Sequence, residues 1–134
     1  MTIDEELKII RRGAVEIISE PELKAKLEKA RKENRPLRIK LGIDPTAPDV
    51  HLGFTVVLNK LRQFQELGHH VVLIIGSYTA MLGDPSGRVS SRPQMQFDQV
   101  MDNAETYKRQ FFKIVDEKKT EIVYNGDWFS KMSF

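Results

Sequence analysis

Two short stretches of this chain carry residues that could do chemistry. Residues 48–56 read PDVHLGFTV, with His51 and Gly53 at the start of a segment of helical spacing. Free N–H groups at a helix start, together with the positive end of its dipole, attract an anion such as a phosphate. His51 could reach the same anion, or serve only as a cap or packing residue, and spacing alone leaves both roles open. Residues 83–94 read GDPSGRVSSRPQ. Asp84 precedes a proline in a turn-forming context, where its carboxylate could accept from a ligand's ammonium group. Arg88 and Arg92 follow on the same loop, and mobile guanidinium groups suit charge developing on a transferring phosphate. Loop arginines are also ordinary surface residues. Phe54 is the odd member, standing where a polar donor would be expected.

Such residues act together only if a scaffold delivers them to one place. LRIKLGI (37–43) is short, bounded by turn signals and rich in branched residues, which predicts a strand. HVVLIIG (70–76) is a continuous apolar run of the kind buried on both faces of a sheet, and EIVYN (121–125) predicts a third strand. Between the first two, residues 51 to 67 place Leu52, Val56, Leu61, Phe64 and Leu67 at helical spacing, closed by Gly68. A second helix is expected from about 97 to 115, with Val100, Tyr107, Phe111 and Ile114 inward. Strand, helix, strand is a βαβ unit with parallel strands. Ligands of open parallel sheets bind outside the carboxyl ends of the strands. Here those ends are Gly42-Ile43-Asp44-Pro45-Thr46, Gly76-Ser77-Tyr78-Thr79 and Tyr124-Asn125-Gly126.

Two helices precede this unit. Thr2-Ile3-Asp4-Glu5 has the pattern of a capping box and Gly13 that of a stop, while Ser19-Glu20-Pro21-Glu22 opens a helix with Leu23, Leu27 and Ala30 on one face. The expected organisation is a helical arm, 1–36, followed by the first half of a nucleotide-binding domain, 37–134.

Composition excludes several classes. Of 134 residues, 40% are hydrophobic and 30% charged, which is ordinary for a globular protein. The net charge of +2 demands neither nucleic acid nor membrane as a partner. No cysteine is present, so disulfides and thiolate metal sites are excluded, and no metal-binding set is expected. The charged start, MTIDEELKIIRRG, lacks the apolar core of a secretory signal.

The run LGIDPTAPDVHLG, continued by VVLNKLRQFQELGH, VVLIIG and TAMLGDPSGR, resembles the amino-terminal half of the catalytic domain of bacterial tyrosyl-tRNA synthetases, which are class I aminoacyl-tRNA synthetases. The resemblance covers essentially the whole chain. It implies a partial Rossmann-like (HUP-type) doubly wound α/β fold with a parallel sheet of about three strands. It implies a cytoplasmic ligase that activates tyrosine with ATP, Mg2+ accompanying the nucleotide, for transfer to tRNA. The family's His-x-Gly-His signature, which binds the ATP phosphates, falls on His51, Leu52, Gly53 and Phe54. Thr46 matches a threonine that contacts the γ-phosphate, and Gly42 and Asp44 match strand-end positions lining the adenylate site. Asp84 matches the carboxylate that holds the amino group of tyrosine, with Thr79 beside it. Arg88 and Arg92 match the basic residues of the mobile loop that closes over pyrophosphate.

The match breaks in places. The second histidine of the signature donates a hydrogen bond, and Phe54 cannot. Lys40 stands where the family often has a tyrosine, and SSRPQ (90–94) lacks a further basic residue. The family's second half, with the rest of the tyrosine pocket, a Lys-Met-Ser-Lys-Ser loop and a tRNA-reading region, has no counterpart in these 134 residues. Lys131-Met132-Ser133 resembles that loop's start but comes too early. The expectation is a tyrosine-activating core impaired by truncation and by Phe54. The alternative is a non-catalytic module that keeps a nucleotide or a partner. A three-stranded sheet also leaves open edges and one face uncovered, so self-association, or a lid made of the N-terminal helices, is expected.

Overall fold

The computed structural model describes residues 1–45, 53–77, 96–129 and 131. Helices α1 (Ile3–Arg11) and α2 (Glu20–Lys32) lead into β1 (Arg38–Ile43), α3 (Gly53–Glu66), β2 (His70–Ile75), α4 (Phe97–Phe111), β3 (Thr120–Tyr124) and a short α5 (Gly126–Phe129). The three strands pair in parallel in the order β1-β2-β3, with Leu41 opposite Leu73 and Leu73 opposite Ile122. The sheet is therefore the parallel one that the apolar runs predict.

Local chemistry sets the boundaries. The Thr2 hydroxyl accepts from the Glu5 N–H (3.1 Å) and the Ser19 hydroxyl from the Glu22 N–H (3.3 Å), so both arm helices start at side-chain caps. Helix α3 ends where Gly68 takes a positive φ of 94°, letting the His69 N–H reach the Phe64 carbonyl (3.0 Å) and the Gly68 N–H that of Gln65 (2.9 Å). Asn34 closes α2 in the same way, at a φ of 54°. Helix α4 stops at Phe111, earlier than the expected 115. There the Ile114 and Val115 N–H groups both turn back to the Phe111 carbonyl (3.1 Å each). Val115 still enters the core, because the tightened turn aims it inward.

Side chains alternate between two unlike faces of the sheet. Ile43, Val71, Leu73 and Ile75 form the main core with Leu58 and Leu61 of α3 and Ala104, Tyr107 and Phe111 of α4. On the other face Arg38, Lys40, Gly42, His70 and Glu121 are exposed. There Arg38 donates to Glu121 (2.8 Å), joining the two outer strands, and Val72 of the central strand is buried. The arm does not lie on this face. Leu7 and Ile10 of α1 and Leu27 and Ala30 of α2 pack with Leu37 and Phe64, on the side of α3. Lys60 of α3 fixes the arm by donating to the carbonyls of Ile10 (2.5 Å) and Arg12 (2.6 Å). These carbonyls lie at the end of α1, where a cation is favoured by the helix dipole. Burial, with the Arg12 charge adding to it, holds the Lys60 ammonium below the usual lysine range.

Gln65 joins α3 to β3. Its amide donates to the carbonyls of Asp116 and Lys119 (3.2 Å each) and to the Thr120 hydroxyl (3.0 Å), and its oxygen accepts from the Asp116 N–H (2.8 Å). Its side chain thus fixes the turn that feeds β3 into register. Gln65→Leu keeps the bulk but leaves the Asp116 N–H without its acceptor and the Lys119 carbonyl without the Gln65 donor, while the Asp116 carbonyl keeps the Thr120 hydroxyl (2.7 Å), so a loss of about 2–3 kcal/mol is expected from urea unfolding. An unchanged midpoint would show that the turn is set by β3 pairing alone.

Candidate nucleotide site at the carboxyl edge of the sheet

Gly42 and Asp44 lie at the carboxyl end of β1, and Gly53 opens α3. Parallel pairing brings the ends of the other strands to the same edge. The Gly76 N–H, just past β2, donates to the Ile43 carbonyl (2.7 Å), and the Asn125 N–H, just past β3, donates to that of Ile75 (3.0 Å). Beyond them the Gly126 N–H donates to the hydroxyl of buried Ser77 (3.1 Å). The edge is thus a row of strand ends laced together by backbone groups. A ligand lying across it meets all three.

Gly42 is exposed, and a Cβ added there would meet nothing within 4 Å. Among the described residues, packing therefore does not require a glycine at 42. Asp44 is half-buried. Phe54, in the first turn of α3, is half-buried and packs against the main core. The ring fills apolar space at the head of the helix. Thr46, His51, Thr79, Asp84, Arg88 and Arg92 lie outside the described residues.

Helix α4 adds residues that the motifs do not point to. Asn103 donates to the Pro45 carbonyl (3.0 Å). Lys108 pairs with Glu105 (2.6 Å) and stands 5.8 Å from the centre of the Tyr124 ring at the end of β3. The hydrogen bond that Lys108 donates to Glu105 holds its ammonium above the usual lysine value, and Tyr124 adds to the effect. Asn103 borders the inward stripe of Val100, Ala104 and Tyr107, and that position was the one sequence signal of its contact. Among the described residues no group of three His, Cys, Asp or Glu side chains could hold a metal ion, and no helix is long and apolar enough to cross a membrane.

The same fold occurs in solved tyrosyl-tRNA synthetases. The crystal structure of the Archaeoglobus fulgidus synthetase complexed with L-tyrosine superimposes with a TM-score of 0.75 at 25% identity, covering 96% of this chain and 36% of that one. The Aeropyrum pernix synthetase gives 0.74 at 22% identity, with the same coverage. The class is thus a Rossmann-like α/β fold of the class I synthetase kind. Residues 32–134 match the family of tRNA synthetases class I (W and Y), and the chain belongs to that family. It is 53% identical over 137 residues to the tyrosine–tRNA ligase of Carboxydothermus hydrogenoformans, and 56% identical over 132 residues to tyrosine–tRNA ligase 2 of Clostridium acetobutylicum. These alignments cover 100% and 98% of this chain and 33% of each relative. The chain spans about a third of the length of the curated relatives it matches.

Proposed function

We propose that this chain is part of the catalytic core of a cytoplasmic tyrosine–tRNA ligase, and that the carboxyl edge of its sheet binds ATP for the activation of tyrosine. One observation carries the reading. A chain more than half identical to named tyrosine–tRNA ligases brings Gly42, Asp44 and the start of α3 to the edge where parallel sheets bind ligands.

In the reaction, the carboxylate of tyrosine attacks the α-phosphate of ATP in line, a new C–O–P linkage forms, and pyrophosphate leaves with the electron pair of the broken P–O bond. The Gly53 amide and His51 hold phosphate oxygens at the positive end of α3, and Thr46 contacts the γ-phosphate. Gly42 lets the nucleotide approach the backbone closely, with Asp44 beside it. Asp84 holds the ammonium group of tyrosine and Thr79 lines the same pocket. Arg88 and Arg92 offset charge developing on pyrophosphate. Mg2+ enters with the nucleotide, as its counter-ion.

The test is tyrosine-dependent exchange of pyrophosphate into ATP. Exchange that stops without tyrosine supports the reading, and a folded chain that neither exchanges nor binds ATP sinks it. A second reading, a non-catalytic module that keeps the nucleotide, is favoured by Phe54, whose ring packs against the core where the signature has a donor. It predicts ATP binding without exchange.

Gly42→Ala separates ligand from fold. Because the added methyl meets no atom of the described residues within 4 Å and alanine loses less chain entropy than glycine, stability should hold or rise by about 0.5 kcal/mol. ATP affinity should fall by about tenfold if the methyl intrudes on the nucleotide, and calorimetry on the folded protein reads both quantities. Unchanged affinity would take Gly42 out of the site.

A further inference from the structure

We infer that Asn103 is a positioning residue for the nucleotide site, a role that rests on this edge binding ATP. Its side-chain amide, half-buried on α4, donates to the Pro45 carbonyl at 3.0 Å, a bond between residues 58 apart in the chain. Pro45 is fully buried and has no N–H of its own, so its carbonyl is its only backbone means of being held. One residue earlier but one, the Ile43 carbonyl accepts from the Gly76 N–H at 2.7 Å. Asp44 is thus bracketed by two tethers, one from the end of β2 and one from α4.

The second tether has a rigid base. Val100, Ala104, Tyr107 and Phe111 of α4 are all buried, so Asn103 reaches out from a helix that the core fixes. The chain leaves the sheet through Asp44 and Pro45, so the hold on Pro45 sets how Asp44 is presented at the edge. Without the amide, the Pro45 carbonyl loses its side-chain donor and the tether from α4 is gone. Asn103 touches no reacting atom. It acts through the turn.

The experiment compares ATP and tyrosine binding by calorimetry for the full chain and for Asn103→Asp, which keeps the shape of the side chain and removes its donor. Asn103→Gln keeps a donor on a longer arm, and Asn103→Ala stands in if Asn103→Asp fails to fold. The expected result is ATP affinity weaker by about tenfold in Asn103→Asp, tyrosine affinity within about twofold, and partial recovery in Asn103→Gln. Equal ATP affinity in the parent and in Asn103→Asp would overturn the inference, as would a parallel loss of both ligands, the mark of general loosening. A folded parent that binds no ATP would overturn the nucleotide site itself, and this role with it, which is a different result because the parent is then silent.

Discussion

Phe54→His should raise tyrosine-dependent ATP–pyrophosphate exchange by about 10²–10³-fold over the parent chain. The figure is the typical effect of one hydrogen-bond donor aimed at charge that develops in a transition state. The first turn of α3 holds residue 54 next to Gly53, at the end of the helix where the dipole favours an anion. An imidazole there can donate, and a phenyl ring cannot. The gain is opposed by a loss. The ring is half-buried against the core of Leu58, Ile75 and their neighbours, so trading it for imidazole should cost about 1 kcal/mol of stability. Phe54→Leu controls for packing, since it keeps an apolar side chain and supplies no donor. Exchange that rises in Phe54→His and stays flat in Phe54→Leu identifies the donor as the missing part. No rise in Phe54→His, with a normal thermal transition, would place the limit on activity elsewhere.

The sequence was informative wherever structure follows from local rules. Strands β1 and β2 announce themselves as branched apolar runs between turn residues, and Thr2, Ser19 and Gly68 mark helix ends by chemistry that acts within a few residues. The family resemblance named candidate site residues, because DPTAP, HLG and GDPSG are contiguous. What was not legible is long-range. Gln65 looks like any polar residue near the end of a helix, yet it is buried and bonds residues 51 to 55 positions away. Asn103 looks like a solvent-facing helix residue and reaches Pro45. The end of α4 was misplaced by four residues because Ile114 keeps the inward spacing, and packs on the core, after the helix has already turned. The lid expected of the arm failed similarly. An amphipathic helix declares that it needs an apolar partner, and nothing in its own sequence says which face of the sheet provides it.

The same blindness hid the most consequential polar group in the fold. His69→Ala should destabilise the protein by about 3–5 kcal/mol, a large share of the 5–15 kcal/mol typical of a whole domain. His69 and Glu6 are both buried. The Leu37 N–H donates to Nδ1 of His69 (3.0 Å), so the ring proton sits on Nε2, which donates to Glu6 Oε1 (2.6 Å). Glu6 Oε2 accepts in turn from Arg31 (2.9 Å). A chain of three side chains thus runs from α2 through α1 to the starts of β1 and β2, and the Phe64 ring lies against the imidazole at 6.1 Å. Deleting the imidazole leaves Glu6 Oε1 and the Leu37 N–H, both buried, without the partner each had, where the low dielectric makes each loss costly. Glu6→Gln is the milder change, because its amide oxygen still accepts from His69 while the attraction to Arg31 is lost. Urea unfolding of both single variants and the double should give a coupling of about 1 kcal/mol or more, since the two residues share one network. Additive effects would show that each is held by packing and that the relay contributes nothing as a unit. The network also lies at the end of the sheet opposite the carboxyl edge. In the fraction of His69→Ala that remains folded, ATP affinity should therefore match that of the parent. A loss of affinity per folded molecule would mean that the arm, through β1, helps to set the direction in which Asp44 leaves the sheet.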